Sequence, residues 1–175
     1  MTLQLFATLL LLLMLCIVIY QDFKYHAVSW LVFPLMFLLL AVPSILSSFS
    51  EWATTTLINI SFVVIQLFLV SVYFSLKEKR LVNITSEQIG WGDILFFLVF
   101  TQAFSPVNFL LFYIFTLFFI VLVFLIYNLK KGLSKEIPLA GAMAIMLLFA
   151  QVARLFFSSL DFYNDAFATE LIIGW

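Results

Sequence analysis

Six long apolar runs separated by short polar breaks make up most of this chain, and about 20 apolar residues are what one helical crossing of a bilayer requires. The runs fall at about residues 3–20, 28–47, 52–76, 91–104, 107–128 and 137–160. They are long and continuously apolar, whereas membrane strands are about 10 residues with alternating polarity, so helices are expected. Composition closes the other route. Of the 175 residues 66% are hydrophobic and 10% charged, against roughly 45–50% and about 25% in globular chains. A core of this size cannot hide so much apolar surface, because a ~150-residue domain buries only about 70% of what its unfolded chain exposes. The solvent is lipid. The expected fold class is all-α: a polytopic membrane protein with six transmembrane helices in a single domain over residues 1–175.

No repeat or linker divides the chain, and its longest polar stretch, residues 77–88, is short. Thr85 with Gln88 three residues on fits a capping box, from which the short fourth helix can start inside the loop and pass through Gly90 and Gly92. The first run has no basic n-region and no small-x-small site before Asp22, so it is read as a retained helix and not a cleaved signal. Pro34 and Pro43 are expected to kink the second helix, and Pro138 to sit in the first turn of the sixth.

Orientation follows from the basic residues. Lys24 comes after the first run, Lys77, Lys79 and Arg80 after the third, and Lys130, Lys131 and Lys135 after the fifth. The even-numbered loops around residues 48–51 and 105–106 carry none. By the positive-inside rule the odd loops are cytoplasmic and both termini lie outside, in a cytoplasmic (inner) membrane. Arg154 is the exception, placed to snorkel at the outer end of the sixth run. A net charge of -1 gives no field for nucleic acid. The single cysteine, Cys16, excludes a disulfide framework and a cysteine-based zinc module. No cofactor and no metal are expected.

Ionisable groups at membrane depth are costly, which makes acids beside apolar runs functional candidates. Asp22 follows the first run directly. Asp93 closes Gly90-Trp91-Gly92-Asp93 and leads straight into Ile94-Leu95-Phe96 at the start of the fourth. The first run travels inward and the fourth outward, so the lysine-derived topology brings both carboxylates to the cytoplasmic level. Taken singly, Asp22 ends a helix at the interface and Asp93 charges a helix N-terminus. Taken together, two carboxyls in a poorly solvated site share a proton and titrate as a pair, one as base and one as acid. The base activates a water against a peptide carbonyl and the acid protonates the carbonyl oxygen. Gly90 and Gly92 shape the site by allowing close approach of a neighbouring helix or an extended substrate.

These features resemble the type IV prepilin peptidase and archaeal preflagellin peptidase family, the GxGD membrane aspartyl proteases. Asp22 with Val28 six residues on is similar to the family's first motif, with Ser29-Trp30 where the family has Pro-Asn. Gly90-Trp91-Gly92-Asp93 matches the second, with Leu95 where a lysine is often found. Ile137-Pro138-Leu139-Ala140-Gly141 fits the start of the last span. The resemblance implies a prokaryotic inner-membrane endopeptidase. Its substrate would be a pilin-like precursor with a short basic leader and an apolar helix, cut at the cytoplasmic face. With one cysteine and no loop long enough for a methyl-donor site, N-methyltransferase activity is not expected. Glu87 and Glu136, in cytoplasmic loops with Glu78, are candidates to bind the leader; as ordinary loop charges they would be solvated. His26, the only histidine, stands near enough to Asp22 to tune it but has no second ligand beside it. Presenilin-like enzymes share the Gly-x-Gly-Asp but have more spans. A small transporter or substrate-binding subunit, with Asp22 and Asp93 holding a cation or proton, is the alternative from another class. The sequence lacks the inverted repeat that many transporters show.

Overall fold

A computed structural model of the chain describes residues 2–81, 89–131, 138–157 and 161–165. Among the described residues the chain is all-helical, without strands. In order the helices are α1 (Thr2–Tyr25), α2 (Val32–Ser47), α3 (Phe49–Glu78), α4 (Trp91–Phe100), α5 (Pro106–Lys131) and α6 (Leu139–Phe156). Helix satisfies every backbone group within one segment, which is the requirement that a hydrocarbon solvent imposes. Four stretches are long and apolar enough to cross a membrane: Leu5–Tyr25 in α1, all of α3, Pro106–Tyr127 in α5, and α6. Their outer surfaces carry large apolar side chains such as Leu57, Phe68 and Phe118 in the open. Such a surface is stable against lipid and not against water, so on helix length and composition this is a multi-pass membrane protein.

The two shorter helices depart from the apolar runs that contain them. α2 has 16 residues and begins at Val32, so the chain from Val28 is not yet helical. Pro34 lies in its first turn, where a missing N–H costs nothing, and only Pro43 is inside the helix. α4 has 10 residues and stops at Phe100 instead of continuing through Phe104. At 1.5 Å per residue it rises about 15 Å, half of a ~30 Å hydrocarbon layer.

The polar residues at the end of this run explain the stop. The Thr101 hydroxyl donates to the Leu98 carbonyl at 2.6 Å, and the Gln102 and Ala103 amides bond three residues back. Asn59, buried in the middle of α3, donates from Nδ2 to the carbonyls of Thr101 at 2.9 Å and Phe104 at 3.0 Å. Residues 101–105 are all buried. Irregular backbone is tolerated at this depth because protein, not lipid, surrounds it and supplies partners. The Phe104 ring then stacks on Phe112 at 4.6 Å and Phe100 packs against Phe109 and Tyr113, which fixes α4 to α5.

The buried core centres on α6, whose inward residues include Ala140, Gly141, Ala144 and Ala150. Small side chains let helix axes approach closely where van der Waals packing drives association. α1 takes that approach and makes the most extensive helix pair of the fold with α6. Beyond α6 the chain returns to cap α5. The Asp165 carboxylate accepts from the Ser105 hydroxyl at 2.5 Å, the Val107 amide at 3.1 Å and the Asn108 amide at 3.2 Å. The acids of this segment therefore do more than carry charge, because one of them closes a helix N-terminus.

Candidate active site

Three helix ends meet at one point. Asp22 stands in the last turn of α1, buried, and its Oδ2 accepts the Gly141 amide at 2.5 Å. Asp93 is the third residue of α4. Its Oδ1 accepts the Ala140 amide at 2.9 Å and its Oδ2 the Gly90 amide at 3.2 Å. Ala140 and Gly141 are consecutive, so the first turn of α6 offers one N–H to each carboxylate. Adjacent amide nitrogens in a helix lie about 3 Å apart, which limits the two accepting oxygens to a separation of no more than about 8.5 Å. Sequence positions 22 and 93 are thus joined through a third element, and the positive end of α6 faces both.

Local structure explains how each acid is held. α1 ends at Tyr25, and the next residue, His26, takes the left-handed conformation at φ 49° while its amide donates to the Asp22 carbonyl at 2.9 Å. Gln21 Oε1 then accepts the Ser29 amide at 2.8 Å, folding the following loop back onto the same turn. His26 serves here as the helix terminator, within electrostatic range of the Asp22 carboxylate. At α4 the Asp93 carboxylate returns to the Gly90 amide, the half of a capping box that glycine permits.

The glycines divide into unequal roles. A Cβ on Gly141 would lie 2.9 and 3.0 Å from the Phe23 ring and 3.0 Å from Asp22 Oδ2, so any side chain here would force Phe23 and Asp22 to give way where α1 meets α6. A Cβ on Gly90 would stand 3.3 Å from Asp93 Oδ2, whereas one on Gly92 would meet nothing within 4 Å. Gly90 therefore bears on the carboxylate directly, and Gly92 leaves open space beside it. The part of Ala140 and Gly141 as donors was not read from the sequence. The signal available was a proline followed by small residues at the head of the last apolar run.

Glu87 and Glu136, the candidate leader contacts, lie outside the described residues, as does the Thr85–Gln88 capping box. Glu78 pairs with Arg80 at 2.7 Å on the surface. Among the described residues no three His, Cys, Asp or Glu side chains converge, so the donors available at the site are the two carboxylates. Chemically, two carboxylates anchored by neighbouring amides at one helix start can share a proton, with free space at Gly92 and an exposed Trp91 in the same turn. Against family models, characterised proteins and solved structures, the chain has no match.

Proposed function

We propose that this chain is a prepilin-peptidase-like membrane aspartyl endopeptidase with Asp22 and Asp93 as its catalytic pair. One observation carries the reading: two acids 71 positions apart in sequence receive the amides of neighbouring residues at one helix start. In the reaction the pair holds one proton between two carboxyls. The ionised member takes a proton from water as it attacks the scissile carbonyl, and the protonated member donates to the carbonyl oxygen. Six membrane crossings, the fourth made by α4 together with the buried stretch that follows it, and both termini outside put this end of the bundle at the cytoplasmic face of a prokaryotic inner membrane. The substrate there is a pilin-like precursor whose basic leader is removed, with Glu87 and Glu136 as candidates to bind the leader.

The test is co-expression with a pilin-like precursor followed by gel analysis. Asp22→Asn and Asp93→Asn each retain an oxygen that can accept the α6 amides, so the fold is kept while the shared proton is lost. Both should abolish processing and leave the protein in the membrane, and Glu87→Ala should only weaken it. Processing that survives either asparagine variant overturns the protease reading. Ion-dependent uptake lost in both variants would favour a transporter.

A further inference from the structure

The opposite end of the bundle contains a second polar feature that proteolysis does not use. An open-sided cavity of about 580 Å³ is lined by the N-terminal half of α1, the C-terminal end of α2, the start of α3 and the end of α6. Thr8 on α1 lines it, and Asp22 lies about 21 Å further along that helix. Gln102, Glu51, Gln151, Arg154 and Tyr163 bring the polar groups.

Their pairings leave a specific set of valences. Gln102 Oε1 is already used, accepting the Trp52 indole at 2.8 Å and the Thr56 hydroxyl at 3.3 Å. Gln151 is 3% exposed, yet its Nε2 amide has no acceptor. The Arg154 guanidinium rests on the Tyr163 ring, 5.0 Å from its centroid. Arg154 and Glu51, both exposed, line the same cavity but form no ion pair with each other. The buried Gln151 amide without an acceptor marks a place where an acceptor is missing. A cation and an anion held apart in one cavity match a guest carrying both charges.

We infer that this cavity binds a phosphoethanolamine headgroup. The phosphate oxygens accept from Arg154 and Gln151 Nε2, and the primary ammonium donates to Glu51. A bare phosphate would leave Glu51 facing a like charge. A choline headgroup has no N–H for the carboxylate, and a glycerol headgroup has no cation. The apolar wall of α1 and α2 beside the cavity suits the acyl chains of a phospholipid, while soluble phosphoethanolamine would use the polar groups alone.

The test uses the purified full-length protein in detergent, with lipid retention read by native mass spectrometry. Equimolar dioleoyl phosphatidylethanolamine, phosphatidylglycerol and phosphatidylcholine are supplied together, and O-phosphoethanolamine is added as competitor. The wild type should retain phosphatidylethanolamine about tenfold over the other two, the selectivity of one charged hydrogen bond. Glu51→Gln should erase that preference while phosphatidylglycerol still binds. Arg154→Gln and Gln151→Leu should lower retention of all three, and Arg154→Lys should restore part of it, which separates lost charge from lost fold. Displacement of the lipid by O-phosphoethanolamine supports the site and makes the headgroup sufficient; retention despite it supports the site and assigns the membrane as the source. No preference in the wild type, or a preference unchanged by Glu51→Gln and Arg154→Gln, overturns the inference. The readout does not depend on peptidase activity.

Discussion

Gly141→Ala probes the junction on which the candidate site depends. The added methyl would sit 3.0 Å from Asp22 Oδ2 and 2.9 Å from the Phe23 ring. Phe23 is half exposed and can swing outward at little cost, but Asp22 is buried and held by the amide of the substituted residue itself. The helices must therefore part slightly, or the carboxylate must shift by a few tenths of an ångström against its donor. Overpacking costs about 1–3 kcal/mol, and a weakened hydrogen bond to a charged group adds up to about 1.5–3 kcal/mol. Alanine returns at most about 1 kcal/mol through helix propensity. The net expectation is a loss of up to about 5 kcal/mol, with precursor processing falling further than stability because Asp22 is displaced from Asp93. Thermal unfolding in detergent and cleavage of a co-expressed precursor measure the two effects. A variant as stable and as active as the wild type would show that α1 and α6 do not meet at Asp22, and the site as drawn would fail.

The other expectations divide between the site and its supports. Gly92→Ala should leave stability unchanged or raise it by up to about 1 kcal/mol, since its Cβ meets nothing; a substrate passing there would show as slower processing at an unchanged melting temperature. Asn59→Ala strips two buried carbonyls of their donor and should cost about 1–3 kcal/mol in thermal unfolding, with α4 loosened at Phe100. Asp165→Ala removes the cap of α5 and should cost about 0.5–2 kcal/mol. Hydrogen exchange should then rise at Val107 and Asn108 while the Asp22–Gly141 junction stays protected, and equal protection of both in the variant would show that Asp165 is not the cap.

Apolar run length determined the helices by itself, because a hydrocarbon solvent leaves a continuous apolar stretch no other way to pair its backbone. The acids of interest were legible for the same reason, since Asp22 and Asp93 interrupt or abut such stretches where charge is costly. What the linear pattern could not supply was decided by contacts between distant segments. α4 ends at Phe100 because Asn59, 42 residues earlier, takes the carbonyls that a continuing helix would have used. The two carboxylates converge because Gly141, which reads in sequence as one small residue among several, lets α1 close on α6 and presents its amide. Hydropathy is a property of each run on its own, whereas a donor, an acceptor and the space between them belong to the packed bundle, and only there do they become a site.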